Sequence, residues 1–239
     1  MKRSFLVLLL VITGFSFAGA QKTFNAGNAE KRNTGSFHGI QVGTGIELVI
    51  TEGTIEEVAV SAESTEFRDH IVTKVENGIL KIHYDSKLSS INKKKVKKNL
   101  KAWVSYKKLD ELTASTGAHV QIEGTLKSSS LSIKANTGAE IRGKVEATDL
   151  KVSQNTGSLI VLTGETASLG IEGSTGSLFK GSDLQASTCD AEVSTGAGIT
   201  ITAQKELYVK ANTGGYVKYR GDAAIREIRK NTGGYVSKM

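Results

Sequence analysis

From Leu109 onward, apolar and polar residues alternate along the chain, and each alternating run is broken by the same short sequence. Thr-Gly recurs at Thr116-Gly117, Thr137-Gly138, Thr156-Gly157, Thr175-Gly176, Thr195-Gly196, Thr213-Gly214 and Thr232-Gly233, with spacings of 21, 19, 19, 20, 18 and 19 residues. Seven occurrences in near-constant phase define a repeat, and a repeat decides the fold before any local propensity does. The residue before each threonine is Ser115, Asn136, Asn155, Ser174, Ser194, Asn212 or Asn231. These side chains hydrogen-bond their own backbone in turns, and the glycine tolerates the positive φ of a sharp reversal. Four before the threonine stand Leu112, Ile133, Val152, Ile171, Ala191, Val209 and Ile228; four after it stand Val120, Ile141, Ile160, Phe179, Ile199, Val217 and Val236. Between the first apolar column and the turn runs a polar one: Thr113, Lys134, Ser153, Glu172, Glu192, Lys210 and Arg229.

Period-two alternation on both sides of a turn is the pattern of half-buried strands. Each unit is therefore strand, tight corner, strand. Glycines after the outgoing strand (Gly124, Gly143, Gly164, Gly181, Gly221) suggest a second bend on the far side. One unit cannot bury its apolar face alone, but stacked units form a continuous interior. Two geometries fit: corners of a parallel β-helix, or hairpin tips of an antiparallel sheet. Hairpin tips favour Asn-Gly or Asp-Gly in a two-residue loop, whereas an invariant threonine suits a stacked corner. The expected fold is all-β, a right-handed parallel β-helix of about seven coils of 18–21 residues with a β-rich N-terminal cap.

The cap is expected over residues 36–108 and the repeat coils over 109–239 of the same domain. Residues 37–50 are strand-like with a glycine-rich bend. Val58–Ala62 and Val75–Ile82 read as further strands, the latter containing an Asn77-Gly78 hairpin signal. Glu63–His70 is expected to form a short helical turn, residues 93–98 a solvated lysine-rich loop, and Lys101–Tyr106 another strand. Residues 21–35 lack apolar periodicity and read as a flexible leader.

The first twenty residues carry targeting information. Lys2 and Arg3 precede an apolar stretch, Phe5 to Ile12, and Ala18-Gly19-Ala20 supplies small residues for cleavage before Gln21. The stretch is too short for a stable membrane span, and no cysteine near the cleavage site offers a lipid attachment point. The expectation is export, to the periplasm, in association with the outer membrane or into the medium, without a transmembrane span after cleavage. The net charge of +7 falls to about +5 without Lys2 and Arg3, a mildly basic balance that selects no partner. With one cysteine no intrachain disulfide can form, and with no proline the turns depend on Gly, Asn and Ser.

The combined pattern resembles the head GIN domain family, bacterial β-superhelix proteins described as auto-transporter adhesins. The resemblance rests on Phe37, Ile40 and Val42, on residues 45–53 (Gly-Ile-Glu-Leu-Val-Ile-Thr-Glu-Gly), on residues 75–82 (Val-Glu-Asn-Gly-Ile-Leu-Lys-Ile), on Leu109-Asp110-Glu111-Leu112, and on the corner series. It covers about residues 34–236. It implies a right-handed β-superhelix of pectin-lyase type whose tight turns are here Ser/Asn-Thr-Gly, a role in cell adhesion, and no catalytic residues.

Candidate chemistry is sparse. His38, His70, His83 and His119 stand singly, without metal-ligand spacing, so no metal or other cofactor is expected. Cys189 occupies a column otherwise held by Leu131, Leu150, Leu169 and Leu207, which reads as core. Glu172 and Glu192 fall on neighbouring coils, the arrangement a glycosidase would need, but alternating surface charge gives the same pattern. No enzyme is expected. The lysine run 93–98 reads as a solvated segment. Tyr216 and Tyr235 occupy equivalent positions in the last two coils, with Tyr208 and Tyr219 close by, and exposed stacked aromatics suit sugar or protein contact. The expected function is a binding or adhesion module of the bacterial envelope, with glycan or an envelope protein as partner and no nucleic acid. Self-association through the open solenoid end, as a structural envelope protein, is the second reading, and a carbohydrate-active enzyme the third.

Overall fold

The structure, a computed structural model, describes residues 28–86 and 97–239. The targeting segment 1–20, residues 21–27 of the leader and residues 93–96 of the lysine run lie outside the described residues. In chain order the elements are β1 (Glu30–Arg32), β2 (Gly39–Val42), β3 (Glu47–Glu52), β4 (Glu57–Ser61), α1 (Thr65–Asp69), β5 (Ile71–Glu76), β6 (Ile79–Tyr84), β7 (Lys101–Tyr106) and β8 (Glu111–Ala114). The long strands β9 (His119–Ala135), β10 (Glu140–Gln154), β11 (Leu159–Gly173), β12 (Leu178–Val193) and β13 (Gly198–Ala211) follow. The chain closes with β14 (Tyr216–Arg220), β15 (Ala224–Lys230) and β16 (Tyr235–Lys238).

The corners stack as coil corners, not as hairpin tips: β9 to β13 pair in parallel, each on the next, with the equivalent residues in register. Ile141 lies opposite Val120 and Ile160, and Val152 opposite Ile133 and Ile171. The fold is a parallel β-solenoid. Both apolar columns become its dry interior, with the first six members of each no more than 3% exposed. The Cys189 column lies inside as well.

Every corner has the same geometry. The threonines sit at φ between 43° and 52° and the following glycines between 67° and 76°. The residue after the glycine donates its N–H to the carbonyl of the residue before the threonine, as from Ala118 to Ser115 at 3.1 Å and from Ala139 to Asn136 at 3.1 Å. Positive φ at both central residues with this bond is a type I′ turn, the usual turn of two-residue hairpins. Here it joins strands that pair with neighbouring coils rather than with each other. The glycine N–H donates to the threonine carbonyl of the next coil, at 2.9 to 3.1 Å along the series from Gly117 to Gly214. The ladder thus runs through the backbone, and through the preceding polar residues where Asn231 Nδ2 donates to Asn212 Oδ1 at 3.0 Å. The threonine side chains are exposed.

One further column supports the corner. Ala118, Ala139, Ser158, Ser177 and Ala197 follow the turn glycines and are at most 1% exposed. At Gly215, the next member, an added Cβ would come within 3.1 Å of the Ser194 backbone nitrogen. The corner folds against the preceding coil's main chain, so only small residues fit.

The N-terminal part adds strands to the stack, in an order that differs from the chain. β2 lies between β6 and β8, and β3 between β7 and β9, all parallel. Residues 39–52 therefore form a strand pair inside the stack, turning at Thr44 (φ 60°) and Gly45 (φ 70°), while the later β6 and β7 lie outside them. Antiparallel strands then close this end. β5 pairs with β6 through the Asn77-Gly78 turn, and β4 pairs with β7. α1 begins at Ser64, whose side chain accepts from the Phe67 N–H, and it seats Phe67 in the core. Part of the segment read as a flexible leader is ordered here: β1 pairs antiparallel with β4, and Asn28 Nδ2 donates to the Ala62 carbonyl at 2.5 Å. Charge and side-chain hydrogen bonds hold β1 (Lys31 to Glu57 at 3.0 Å, Arg68 to Glu30 at 2.8 Å), which is why it carries no apolar signal.

Candidate ligand-binding faces

Each strand places alternate residues outside, and parallel register lines these up into ladders down the solenoid. On the face after the corners the ladder reads His119, Glu140, Leu159, Leu178, Gly198, Tyr216 and Tyr235. Leu178 is 37% and Tyr235 57% exposed. Gly198 shapes the strip: a Cβ there would meet the Tyr216 ring at 2.3 Å, so the phenol lies over the glycine, toward Leu178. Lys218 Nζ is 5.9 Å from the centre of the Tyr216 ring. The result is an in-register apolar strip of two leucines and two tyrosines on a rigid sheet. Reading tyrosines alone missed the leucines and the glycine, although all stand in the same column of the repeat.

The other two tyrosines do not join it. Tyr208 belongs to the face before the corners, opposite Asp190 and Glu227 in register. Tyr219 points into the core and is 8% exposed. A shallow depression of about 380 Å³ lies on the face before the corners, around Gly170. Nothing lies within 4 Å of a Cβ built on Gly170, so the glycine leaves a notch between Lys151 and Asp190. Glu172 and Glu192 line the depression with Lys134, and Lys210 Nζ stands 3.9 Å from Glu192 Oε2. Both glutamates are exposed, within a field of alternating charge.

The histidines are dispersed. His38 Nδ1 is 2.7 Å from Asp110 Oδ1, and that hydrogen bond and charge hold its pKa above the ordinary histidine value. His119 Nδ1 is 3.4 Å from Glu140 Oε2, and His70 Nδ1 3.3 Å from the Tyr84 hydroxyl. Among the described residues no three His, Cys, Asp or Glu side chains gather where a metal ion could be held. Of the lysine run, Lys98 places Nζ 4.1 Å from the centre of the Tyr84 ring, and Lys97 lines a depression with Thr44, Glu47 and Asn99.

Cys189 is 1% exposed, and burial, with the charge of Asp190, pushes its thiol up to about 12. The thiolate is the reactive form, so a thiol-selective reagent at neutral pH is expected to label the chain only after denaturation. Stoichiometric labelling of the folded protein would contradict this placement.

No helix among the described residues is long and apolar enough to cross a membrane. No curated protein matches the chain. Solved structures do. A putative adhesin from Bacteroides fragilis superimposes with a TM-score of 0.80 at 18% identity, over 88% of this chain and 96% of that one. A putative adhesin from Parabacteroides merdae follows with 0.70 at 15%, over 88% and 95%. A putative lipid binding protein from Parabacteroides distasonis gives 0.61 at 19%, over 89% and 97%. At these identities the likeness is one of fold. The model of the family described as "putative auto-transporter adhesin, head GIN domain" matches residues 36–223, and the chain belongs to that family.

Proposed function

We propose that this protein is an exported, non-catalytic adhesion module of the bacterial envelope that holds glycan on the Leu178–Tyr216–Tyr235 strip. The observation that carries the reading is the in-register alignment of these exposed and half-buried apolar side chains on neighbouring strands of one parallel sheet. Sugar rings present apolar C–H faces that stack on aromatic and aliphatic surfaces, and a ligand meeting a pre-ordered row loses little to reordering of the protein. Strand pairing fixes the spacing along the row, which suits an extended chain with repeating units. The Ala18-Gly19-Ala20 cleavage signal supports export, and the adhesin description of the family supports adhesion. The charged ladder around Glu172 and Glu192 acts as a solvated face.

Binding of the purified chain to arrays of bacterial surface polysaccharides tests the reading. The double variant Tyr216→Ala/Tyr235→Ala is expected to weaken binding about tenfold or more, corresponding to at least about 1.4 kcal/mol. Tyr208→Ala, on the other face, is expected to leave it unchanged. Equal losses from both, or no glycan bound at all, would sink the proposal.

A further inference from the structure

The two ends of the solenoid differ. At the N-terminal end antiparallel strands and α1 cover the core, and Phe67, Ile71 and Tyr84 are buried. At the other end the apolar columns run out uncovered. Leu207 and Val209 are fully buried, but their counterparts in the last coil, Ile225 and Ile228, are 51% exposed and partly exposed. Val236, below the buried Val217, is also partly exposed. Among the described residues, β15 pairs only with β13 and β16 only with β14. A row of unpaired backbone groups beside exposed aliphatic residues is a template for another strand.

We propose that this end docks on the same end of a second copy, β15 pairing antiparallel with its counterpart about a twofold axis between Arg226 and Glu227. A bulge in β15 sets the register. Ile225 lies opposite Leu207 and Glu227 opposite Tyr208, so Arg226 is the extra residue. The bulge puts Ile225 and Ile228 on the inner side, with Arg226 and Glu227 between them on the outer. Pairing about that axis sets Ile225 opposite Ile228 of the second copy, twice, and continues the dry interior across the junction. It also sets Arg226 opposite Glu227, twice. Within the chain Arg226 already bonds Glu206 at 2.8 Å and Glu227 pairs with Arg229, so the junction joins two charge pairs into a network. Moving the axis onto Glu227 would oppose the two glutamates and set Arg226 against Ile228, and like charges directly opposite are destabilising. The remaining cations, Arg229 and Lys230, fall opposite Ala224 and Ala223, so they do not face each other. Because the N-terminal end is closed, the contact joins like ends, and a like-to-like contact stops at two.

Sedimentation of the purified chain over a concentration series is expected to show a monomer and a dimer and nothing larger. Ile225→Lys or Ile228→Lys is expected to raise the dissociation constant about tenfold or more, with circular dichroism and melting temperature essentially retained, since both side chains are already partly exposed. Register is tested with Ile225→Cys and Ile228→Cys, Cys189 being buried. An interchain disulfide is expected on mixing the two variants under oxidation, and not with either alone. A monomer at every concentration, growth beyond two, indifference to the lysine substitutions, or cross-linking of Ile225→Cys with itself would each overturn the proposal.

Discussion

Phe179→Ala is expected to destabilise the protein by about 3–5 kcal/mol, the range for removing a buried aromatic ring without refilling the space. Phe179 is 1% exposed and stands where the same column elsewhere holds Val or Ile. Its bulk is accommodated two residues on: a Cβ built on Gly181 would meet the ring at 2.4 Å. Gly181 is not held at positive φ, so its role is space rather than backbone conformation. Gly181→Ala should therefore be costly while the Phe179 ring is present. In the Phe179→Ala background it should cost much less, because the new methyl enters the vacated volume. A double-mutant cycle by chemical denaturation should return a coupling of about 0.5–3 kcal/mol, the range for side chains in contact. Additive effects would show that the ring and the glycine do not share that volume.

Gly164→Ala is expected to cost a similar amount, about 3–5 kcal/mol, for a backbone reason. Gly164 sits at φ 112°, and an added Cβ would lie 2.0 Å from the Val145 carbonyl oxygen of the preceding coil. A flexible side chain could move aside; a carbonyl inside the stack cannot do so without shifting the coil. Positive φ adds about 1–3 kcal/mol for any side chain held there. With roughly 2–4 °C of melting temperature per kcal/mol for a chain of this size, the fall should be roughly 6–20 °C. The control is Gly157→Ala at a corner, where φ is 67° and nothing lies within 4 Å of the new Cβ. There only the left-handed conformation counts, about 1–2 kcal/mol. Equal losses at the two sites would remove the clash from the account.

Both substitutions lie at positions that the sequence marks without explaining. Gly164 and Gly181 stand in the series of glycines that follows five of the seven outgoing strands, and they read alike as bends. In the structure Gly164 makes way for a carbonyl, whereas Gly181 makes way for a ring. The same holds for the candidate face. Tyr216 and Tyr235 were legible as equivalent positions because parallel register preserves the repeat, so their stacking followed. That Tyr219 turns inward and Tyr208 belongs to the other face also follows from alternation, once the corner separates the two faces. The lean of Tyr216 over Gly198 does not, since it depends on the space left by a residue one coil away.

The corners, the two apolar columns, the hairpin at Asn77-Gly78 and the turn of helix after Ser64 were written locally, because side-chain alternation and turn chemistry act over a few residues. The choice of stacked corners over hairpin tips rested on the repeat and its invariant threonine rather than on turn chemistry, since a type I′ turn serves both and the neighbour accepting each strand's hydrogen bonds decides. Chain order likewise misled about stacking order: residues 39–52 look like any other strand–corner–strand unit, yet they lie inside β6 and β7, which follow them in sequence. Alternation tells a strand which side faces inward; which strand lies above it is a contact between distant residues, and only the assembled core selects it.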